Sequence, residues 1–360
     1  MSTLSEYEPG AKESVVPVTI LAGFLGAGKT TLLNRILAGN HGLRIAVLVN
    51  DFGSINIDAD LVVGVEYDGS VVSLSNGCVC CSIRDDLLEA VTRVLDRPEQ
   101  PEYVLLEASG VADPTGIAVT FTGPGIRDRI RLDSITCVVD AEQVFAAPDQ
   151  MQLKLWQIGF ADMLVLNKVD LVNRDQIAKI KAWLDEHFHR YRLIEAERCD
   201  LPLEILLSGG HLDAARLHSH EGHACCDPKC RNHHHGDHTN TFSTWSYETD
   251  QPLSLGALRE VASRLPVNIY RCKGVIHSAD VPGRRAVLQV VGKRVDISME
   301  NQWGSRTPRT QIVAIGAHAT MDGQALREQF DRCLAEQSPA APARSVVNRS
   351  VPSSSSLFNS

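Results

Sequence analysis

The 360-residue chain lacks the features that direct a protein to a membrane or to nucleic acid. No apolar run approaches the roughly 18 residues a spanning helix needs. The start, Met-Ser-Thr-Leu-Ser-Glu-Tyr-Glu, has neither the basic nor the apolar region of a signal peptide. Basic charge is not in excess: Lys+Arg 35 against Asp+Glu 44 leaves a net charge of −9, with no basic face apparent. Partners carrying phosphate backbones or anionic lipid are therefore disfavoured. A cytoplasmic protein with no nucleic-acid and no membrane partner is the expectation. In a reducing compartment ten cysteines do not read as a disulfide framework. Six gather in two clusters, at 78, 80, 81 and at 225, 226, 230. Cys137, Cys199, Cys272 and Cys333 stand alone and read as small core residues or inert thiols. No internal repeat is visible.

What the chain does have begins at Gly23-Phe24-Leu25-Gly26-Ala27-Gly28-Lys29-Thr30, a complete G-x-x-x-x-G-K-[ST] phosphate loop. Gly23, Gly26 and Gly28 allow the backbone angles and close approach that let successive N–H groups wrap phosphates. Ala27 and Thr31 complete the cradle, Lys29 reaches the terminal phosphates, and Thr30 offers a hydroxyl to Mg²⁺. The apolar run Val16–Leu21 before it reads as a strand, and 30–37 after it as a helix. A nucleoside triphosphate is the implied ligand.

Asn167-Lys168-Val169-Asp170 identifies the base. It follows Met163-Leu164-Val165-Leu166, at the carboxyl end of a predicted parallel strand, where open α/β sheets bind ligands. Asp170 can accept from guanine N1–H and the 2-amino group. Adenine lacks that amino group, and an unpaired buried carboxylate is a strong rejection. Asn167 would bond the base edge and the loop, and the stem of Lys168 would pack on the ring. GTP with Mg²⁺ is the expected ligand pair.

Strand-like runs at 44–50, 71–74, 103–107, 135–140 and 163–167 alternate with helical patterns, of which 83–95 is one. That alternation predicts a P-loop NTPase-type α/β fold, a doubly wound and mostly parallel sheet over 16–210, preceded by a polar tail at 1–15. Eight histidines and three cysteines crowd into 211–238, where large apolar residues are almost missing. Residues 211–240 therefore read as a flexible linker without a packed core. Over 241–335 the expectation is a small α+β domain: strands at 241–248, 267–276, 286–291 and 311–315, a helix capped by Ser254, and a last helix at 322–334. Residues 336–360 are low in complexity and read as a disordered tail.

Asn76-Gly77-Cys78-Val79-Cys80-Cys81 places three thiols within four residues, with Gly77 permitting a tight turn. Adjacent thiolates repel and are better accommodated around a divalent cation. Three ligands with an open fourth position suit a metal that is exchanged, most simply Zn²⁺. His218, His220, His223, Cys225, Cys226, Cys230, His233, His234, His235 and His238 add N and S donors on the linker. They read as a local metal reservoir, set against a polar linker that binds metal incidentally.

Together these segments resemble the CobW-like family of metal-chaperone P-loop GTPases, relatives of the nickel-insertion GTPases of urease and hydrogenase maturation. The matching stretches are 23–34, Val49-Asn50-Asp51-Phe52-Gly53, 76–82, Glu107-Ala108-Ser109-Gly110-Val111-Ala112-Asp113-Pro114 and 167–170. The resemblance extends across roughly 17–335. It implies that Glu107 serves as the Walker B acid, holding a Mg²⁺-bound water or orienting the attacking water, alongside Lys29 and Thr30. It also implies a role for Asp51, where the family usually has Glu; whether Asp51 serves Zn²⁺ or Mg²⁺ stays open. Ser54 stands where a second Glu is frequent and cannot act as an anionic ligand.

The function so implied is a slow GTPase that couples nucleotide binding and hydrolysis to metal transfer from Cys78, Cys80 and Cys81 into a client metalloprotein. No arginine finger is readable, hence the slow intrinsic turnover. Co²⁺ or iron delivery for cobalamin synthesis or nitrile hydratase activation is an alternative cargo role, and Co²⁺ is compatible with the donors. Metal storage or sensing with an incidental GTPase is another reading, and ATP-using phosphotransfer is opposed by Asn167 and Asp170. Self-association into a homo-oligomer is left open.

Overall fold

Parallel strands cannot be joined by a tight turn, so runs of Val, Ile and Leu separated by amphipathic segments force a crossover after each strand. The computed structural model describes residues 15–39, 41–49, 71–73, 82–123, 125–207 and 242–335. Its first sheet has seven strands: β1 (Val16–Ala22), β2 (Ile45–Val49), β3 (Val71–Ser73), β4 (Tyr103–Glu107), β5 (Ile130–Asp140), β6 (Met163–Asn167) and β7 (Leu193–Ala196). Their spatial order is β3-β2-β4-β1-β5-β6-β7, and every neighbouring pair is parallel. Helices α1 (Lys29–Ala38), α2 (Ser82–Leu95), α3 (Pro114–Thr120), α4 (Met151–Phe160), α5 (Arg174–His187) and the short α6 (Leu203–Leu206) fill the connections.

Both faces of this sheet are covered, and the alternation along each strand shows how. Val18, Ile20, Val104, Leu106, Leu164 and Leu166 bury into one layer with Leu87, Val91 and Val94 of α2, Ile158 of α4 and Leu184 of α5. Leu21, Tyr103, Leu105, Met163 and Val165 face the opposite layer, with Leu32, Leu33 and Ile36 of α1. Each such side chain contributes about 1.5–3 kcal/mol when fully buried, so the period-two pattern pins strand register on both faces at once.

A second sheet of five antiparallel strands follows: β8 (Phe242–Thr249), β9 (Ile269–His277), β10 (Arg284–Val291), β11 (Arg294–Gln302) and β12 (Thr310–Ala317), in the order β11-β10-β9-β12-β8. Helices α7 (Leu255–Ser263) and α8 (Gly323–Asp331) bury Leu258, Ala262, Leu326 and Phe330 with Cys272, Ile276, Leu288 and Ala314 of the strands. Tyr270, Val291 and Ile315 instead share a buried cluster with Ile194, Ile205 and Leu206 of the first unit. Polar contacts reinforce the junction. The Arg271 guanidinium reaches the Asp133 carboxylate at 3.1 Å and donates to the Ile205 carbonyl at 3.0 Å. Arg294 bonds Asp162 at 3.0 Å, and Lys293 donates to the Gly159 carbonyl at 2.7 Å.

Several local expectations are corrected. β5 starts at Ile130 rather than 135, because Arg131 and Asp133, which look like loop residues, meet polar partners from the second sheet. β7 and β11 form where the sequence pattern predicts no strand, and Val267 sits in a turn before β9. Ser254 occupies the N-cap position of α7, yet its side chain makes no cap bond. The Leu255 N–H donates to the Asp280 carboxylate instead, at 2.7 Å. Helix α8 ends at Asp331, with Asp322 as its cap, accepting from the Gln324 and Ala325 N–H groups. Among the described residues, no helix is long and apolar enough to cross a membrane.

Candidate nucleotide site

β1 lies between β4 and β5, so the loops leaving the carboxyl ends of β1, β4 and β6 meet on one edge of the sheet. The first is the glycine loop. Gly23 has φ +134°, and a Cβ there would stand 2.2 Å from the Val138 carbonyl oxygen of β5. Gly28 has φ +110° and is the N-cap of α1; a Cβ would stand 2.5 Å from the Asn167 side-chain nitrogen. Gly26 has φ +71°. A side chain is thus excluded by conformation at Gly26 and by both conformation and space at the other two. The Ala27 N–H donates to the Phe24 carbonyl at 3.2 Å, closing the turn. With Gly28 as cap and no side-chain cap bond, the first N–H groups of α1 are directed at whatever anion the loop holds.

Lys29 is buried at 7% exposure, and its ammonium donates to the Phe24 carbonyl at 3.3 Å. Thr30 Oγ1 donates to Glu107 Oε1 at 2.8 Å. Glu107 closes β4 at 2% exposure, so a hydroxyl from one loop and a carboxylate from another converge at the start of α1. Two hard oxygen donors so placed suit a small divalent cation such as Mg²⁺. Thr31 is exposed at the same helix start.

Asn167 is the third corner. Its Nδ2 donates to the Ala27 carbonyl at 2.9 Å, and its Oδ1 accepts from the Cys199 N–H at 2.7 Å. One buried amide therefore ties the phosphate loop to the segment after β7. Lys168 follows with φ +62°, and its Nζ bonds Asp140 Oδ2 at 2.7 Å. Asp140 ends β5, and its other oxygen accepts from the Glu142 and Gln143 N–H groups at 2.9 and 3.1 Å. The Asp140 carboxylate thereby fixes the Lys168 ammonium. Asp170 lies exposed in the 3-10 turn that follows Lys168.

Two participants were missed in the sequence. Cys199 reads in the sequence as an isolated core thiol, and it is buried. Yet Arg198 and Cys199 both take positive φ, 50° and 57°, which turns the chain so that the Cys199 amide reaches Asn167. Its thiol lies 3.4 Å from the Gly28 carbonyl, and burial pushes its pKa up to about 12. Asp140 carried no motif at all; only its place at the end of a strand beside β6 could have marked it.

The metal-ligand expectations fall elsewhere. Asp51, Cys78, Cys80 and Cys81 lie outside the described residues, as do His218, His220, His223, Cys225, Cys226, Cys230, His233, His234, His235 and His238. Among the described residues, no three His, Cys, Asp or Glu side chains gather to hold a metal ion.

Comparison with known proteins agrees with the two-sheet layout. A family model described as CobW/HypB/UreG, nucleotide-binding domain, matches residues 17–194, and one described as cobalamin synthesis protein cobW C-terminal domain matches 242–334. A zinc chaperone CobW of Pseudomonas aeruginosa is 33% identical over 353 residues, covering 89% of this chain and 92% of its own length. A Sinorhizobium protein of the same name is 29% identical over 356 residues, with 88% and 97% covered. The zinc chaperone YjiA of Escherichia coli is 30% identical over 316 residues, with 84% and 94% covered.

Proposed function

The chain belongs to the CobW/HypB/UreG family, and from that membership we propose that it is a GTP-dependent metallochaperone that carries a transition metal, zinc first, to a client protein. The observation that carries the nucleotide half is the 2.8 Å bond from Thr30 Oγ1 to Glu107 Oε1 beneath the glycine loop. The reaction is hydrolysis of GTP: water attacks the γ-phosphorus, the bond to the β–γ bridging oxygen breaks, and GDP and phosphate leave. Backbone N–H groups of the 23–30 loop and the Lys29 ammonium hold the phosphates. Thr30 and Glu107 would hold Mg²⁺, which when bound neutralises charge on the β- and γ-phosphate oxygens. Glu107 also stands where a carboxylate can orient a water, and Asp170 accepts from the guanine edge. The sequence has no readable arginine finger, so slow intrinsic turnover is expected.

The metal half rests on Cys78, Cys80 and Cys81 and on the names of the relatives, which are zinc chaperones. Zinc here is cargo. The thiolate segment falls in sequence between 50–58 and the loop after Glu107, the two stretches best placed to respond to a γ-phosphate. Coupled sites of this kind differ by about 1–3 kcal/mol between states, and the linkage is reciprocal. Titrating Zn²⁺ against a chromogenic chelator with the protein nucleotide-free, GDP-bound and GTP-analogue-bound tests the proposal. A shift of about 5–150-fold between states, lost when the three cysteines become serine, is the expected result. Equal zinc affinity in all three states would leave a metal store that happens to bind GTP.

A further inference from the structure

Helix α4 turns two buried polar side chains toward the nucleotide site, one turn apart on one face. Lys154 Nζ donates to the carbonyls of Gln143, Val144 and Ala146 at 3.0, 3.1 and 2.5 Å, and stands 4.7 Å from the centroid of the Phe24 ring in the glycine loop. Gln157, 1% exposed, gives both hydrogens of Nε2 to a single loop: to the Gly110 and Ala112 carbonyls, each at 3.1 Å. That loop leaves Glu107. On its opposite side Gly110 abuts the glycine loop so closely that a Cβ would lie 2.7 Å from the Leu25 nitrogen.

The amide orientation follows from its partners. Two carbonyls can be satisfied only by the nitrogen end, so the oxygen end must face away. Gln157 Oε1 is buried with no partner among the described residues. A buried, unpaired acceptor opposes folding, and a leucine of similar volume would avoid it among the neighbouring Phe24, Leu25, Val144 and Ile158 side chains. The unpaired oxygen is tolerated in exchange for two bonds that fix the loop bearing Gly110.

We propose that Gln157 is a positioning residue for GTP hydrolysis, holding the segment 109–112 against the glycine loop so that the Gly110 N–H and Glu107 are set for the γ-phosphate. This rests on the reading of the site as a GTPase. Residues 23–30 alone cradle the phosphates that GDP shares with GTP; the clamped loop is positioned for the γ-phosphate. Loss of the clamp should therefore separate the two nucleotides, whereas a residue that merely supports the fold would affect both.

The test is made on the full chain with Gln157→Leu, which keeps the volume, and Gln157→Glu, whose buried carboxyl has at most one hydrogen for the two carbonyls. Turnover of GTP and affinity for a non-hydrolysable analogue should fall about 5- to 100-fold in Gln157→Leu and should also fall in Gln157→Glu, with GDP affinity unchanged. Hydrogen exchange of peptides spanning 108–113 in nucleotide-free protein should quicken in both variants. Wild-type turnover in Gln157→Leu with unaltered exchange overturns the proposal. A parallel loss of GDP and GTP binding, together with a lowered unfolding temperature, also overturns it, because it marks a structural strut. A wild type that does not hydrolyse GTP defeats the GTPase reading instead; the exchange of 108–113 still decides whether Gln157 clamps the loop.

Discussion

Thr30 Oγ1 lies 2.8 Å from Glu107 Oε1, although the two residues are 77 positions apart in the chain. Parallel pairing of β1 with β4, with Leu21 opposite Glu107, brings them together. Glu107→Gln keeps an acceptor for the Thr30 hydroxyl and removes the charge. It should leave nucleotide affinity nearly intact while lowering the rate of GTP hydrolysis about 100-fold or more. Thr30→Ala removes the hydroxyl itself and should weaken the Mg²⁺ dependence of nucleotide binding as well. Phosphate release and labelled-nucleotide titration at several Mg²⁺ concentrations distinguish the two. Wild-type hydrolysis and Mg²⁺ dependence in both variants would show that the bond between them has no bearing on the site.

Asn167 offers a sharper test of how the site is assembled. Asn167→Ala leaves the Ala27 carbonyl and the Cys199 N–H without their partner, at about 1–3 kcal/mol for each buried group. Affinity for any guanine nucleotide should drop about 10- to 1000-fold. Asp170→Asn should act differently, because it exchanges an acceptor for a donor without disturbing the loops. It should weaken GTP and favour xanthosine triphosphate. Competition binding with both nucleotides reads this out, and an Asp170→Asn protein that keeps its guanine preference would remove Asp170 from the base site.

The junction between the sheets carries a third prediction. Arg271 and Asp133 are 2% and 1% exposed, and Tyr103 Oη also donates to Asp133 Oδ2 at 2.8 Å. Burial raises the Asp133 pKa, but the Arg271 and Arg131 guanidinium groups overcome it and hold the carboxyl below the ordinary range. Arg271→Met leaves that carboxylate buried with weaker compensation and should cost about 3–5 kcal/mol in denaturant unfolding. The double variant Arg271→Met, Asp133→Leu removes both charges and should recover part of the loss. If the double variant is as unstable as the sum of its parts, the pair is not energetically coupled.

Much of this was readable in the sequence, for identifiable reasons. Gly23 and Gly28 announce themselves because only glycine tolerates their φ values and their neighbours. The core strands announce themselves because both faces of the sheet demand apolar residues. The motif implies that Asn167 bonds the glycine loop, and its bond to the Ala27 carbonyl is there; its link to Cys199 has no signal, because it depends on a positive-φ turn at Arg198 and Cys199 that no glycine or asparagine marks. Arg131 and Asp133 hid the first part of β5 because a charged residue looks solvated until its partner, here Arg271 in another sheet, is known. Gln157 hid for the same reason. Its two acceptors are backbone carbonyls, which leave no trace in side-chain patterns.

Lys273 makes the junction sensitive to alkaline pH. It is partly buried on β9, and burial, followed by repulsion from Arg271, holds its pKa well below the ordinary lysine value of 10.5, against the attraction of Asp133 and with a further push from Arg131. Between that depressed pKa and 10.5 the folded chain binds fewer protons at this position than the unfolded chain. The unfolding free energy therefore gains from this group as pH rises through the window, by at most about 1.4 kcal/mol per pH unit for one proton. Tyr103, whose pKa burial raises above the ordinary tyrosine range, acts in the opposite sense, so the contribution of Lys273 must be taken as a difference. Lys273→Met should be stabilised relative to the native chain near neutrality, and the gap should close toward about pH 10. Urea unfolding of both proteins between about pH 7 and 10 measures it. Parallel curves across that range would mean that Lys273 titrates alike in the folded and unfolded chains, and the junction would then tolerate its charge without penalty.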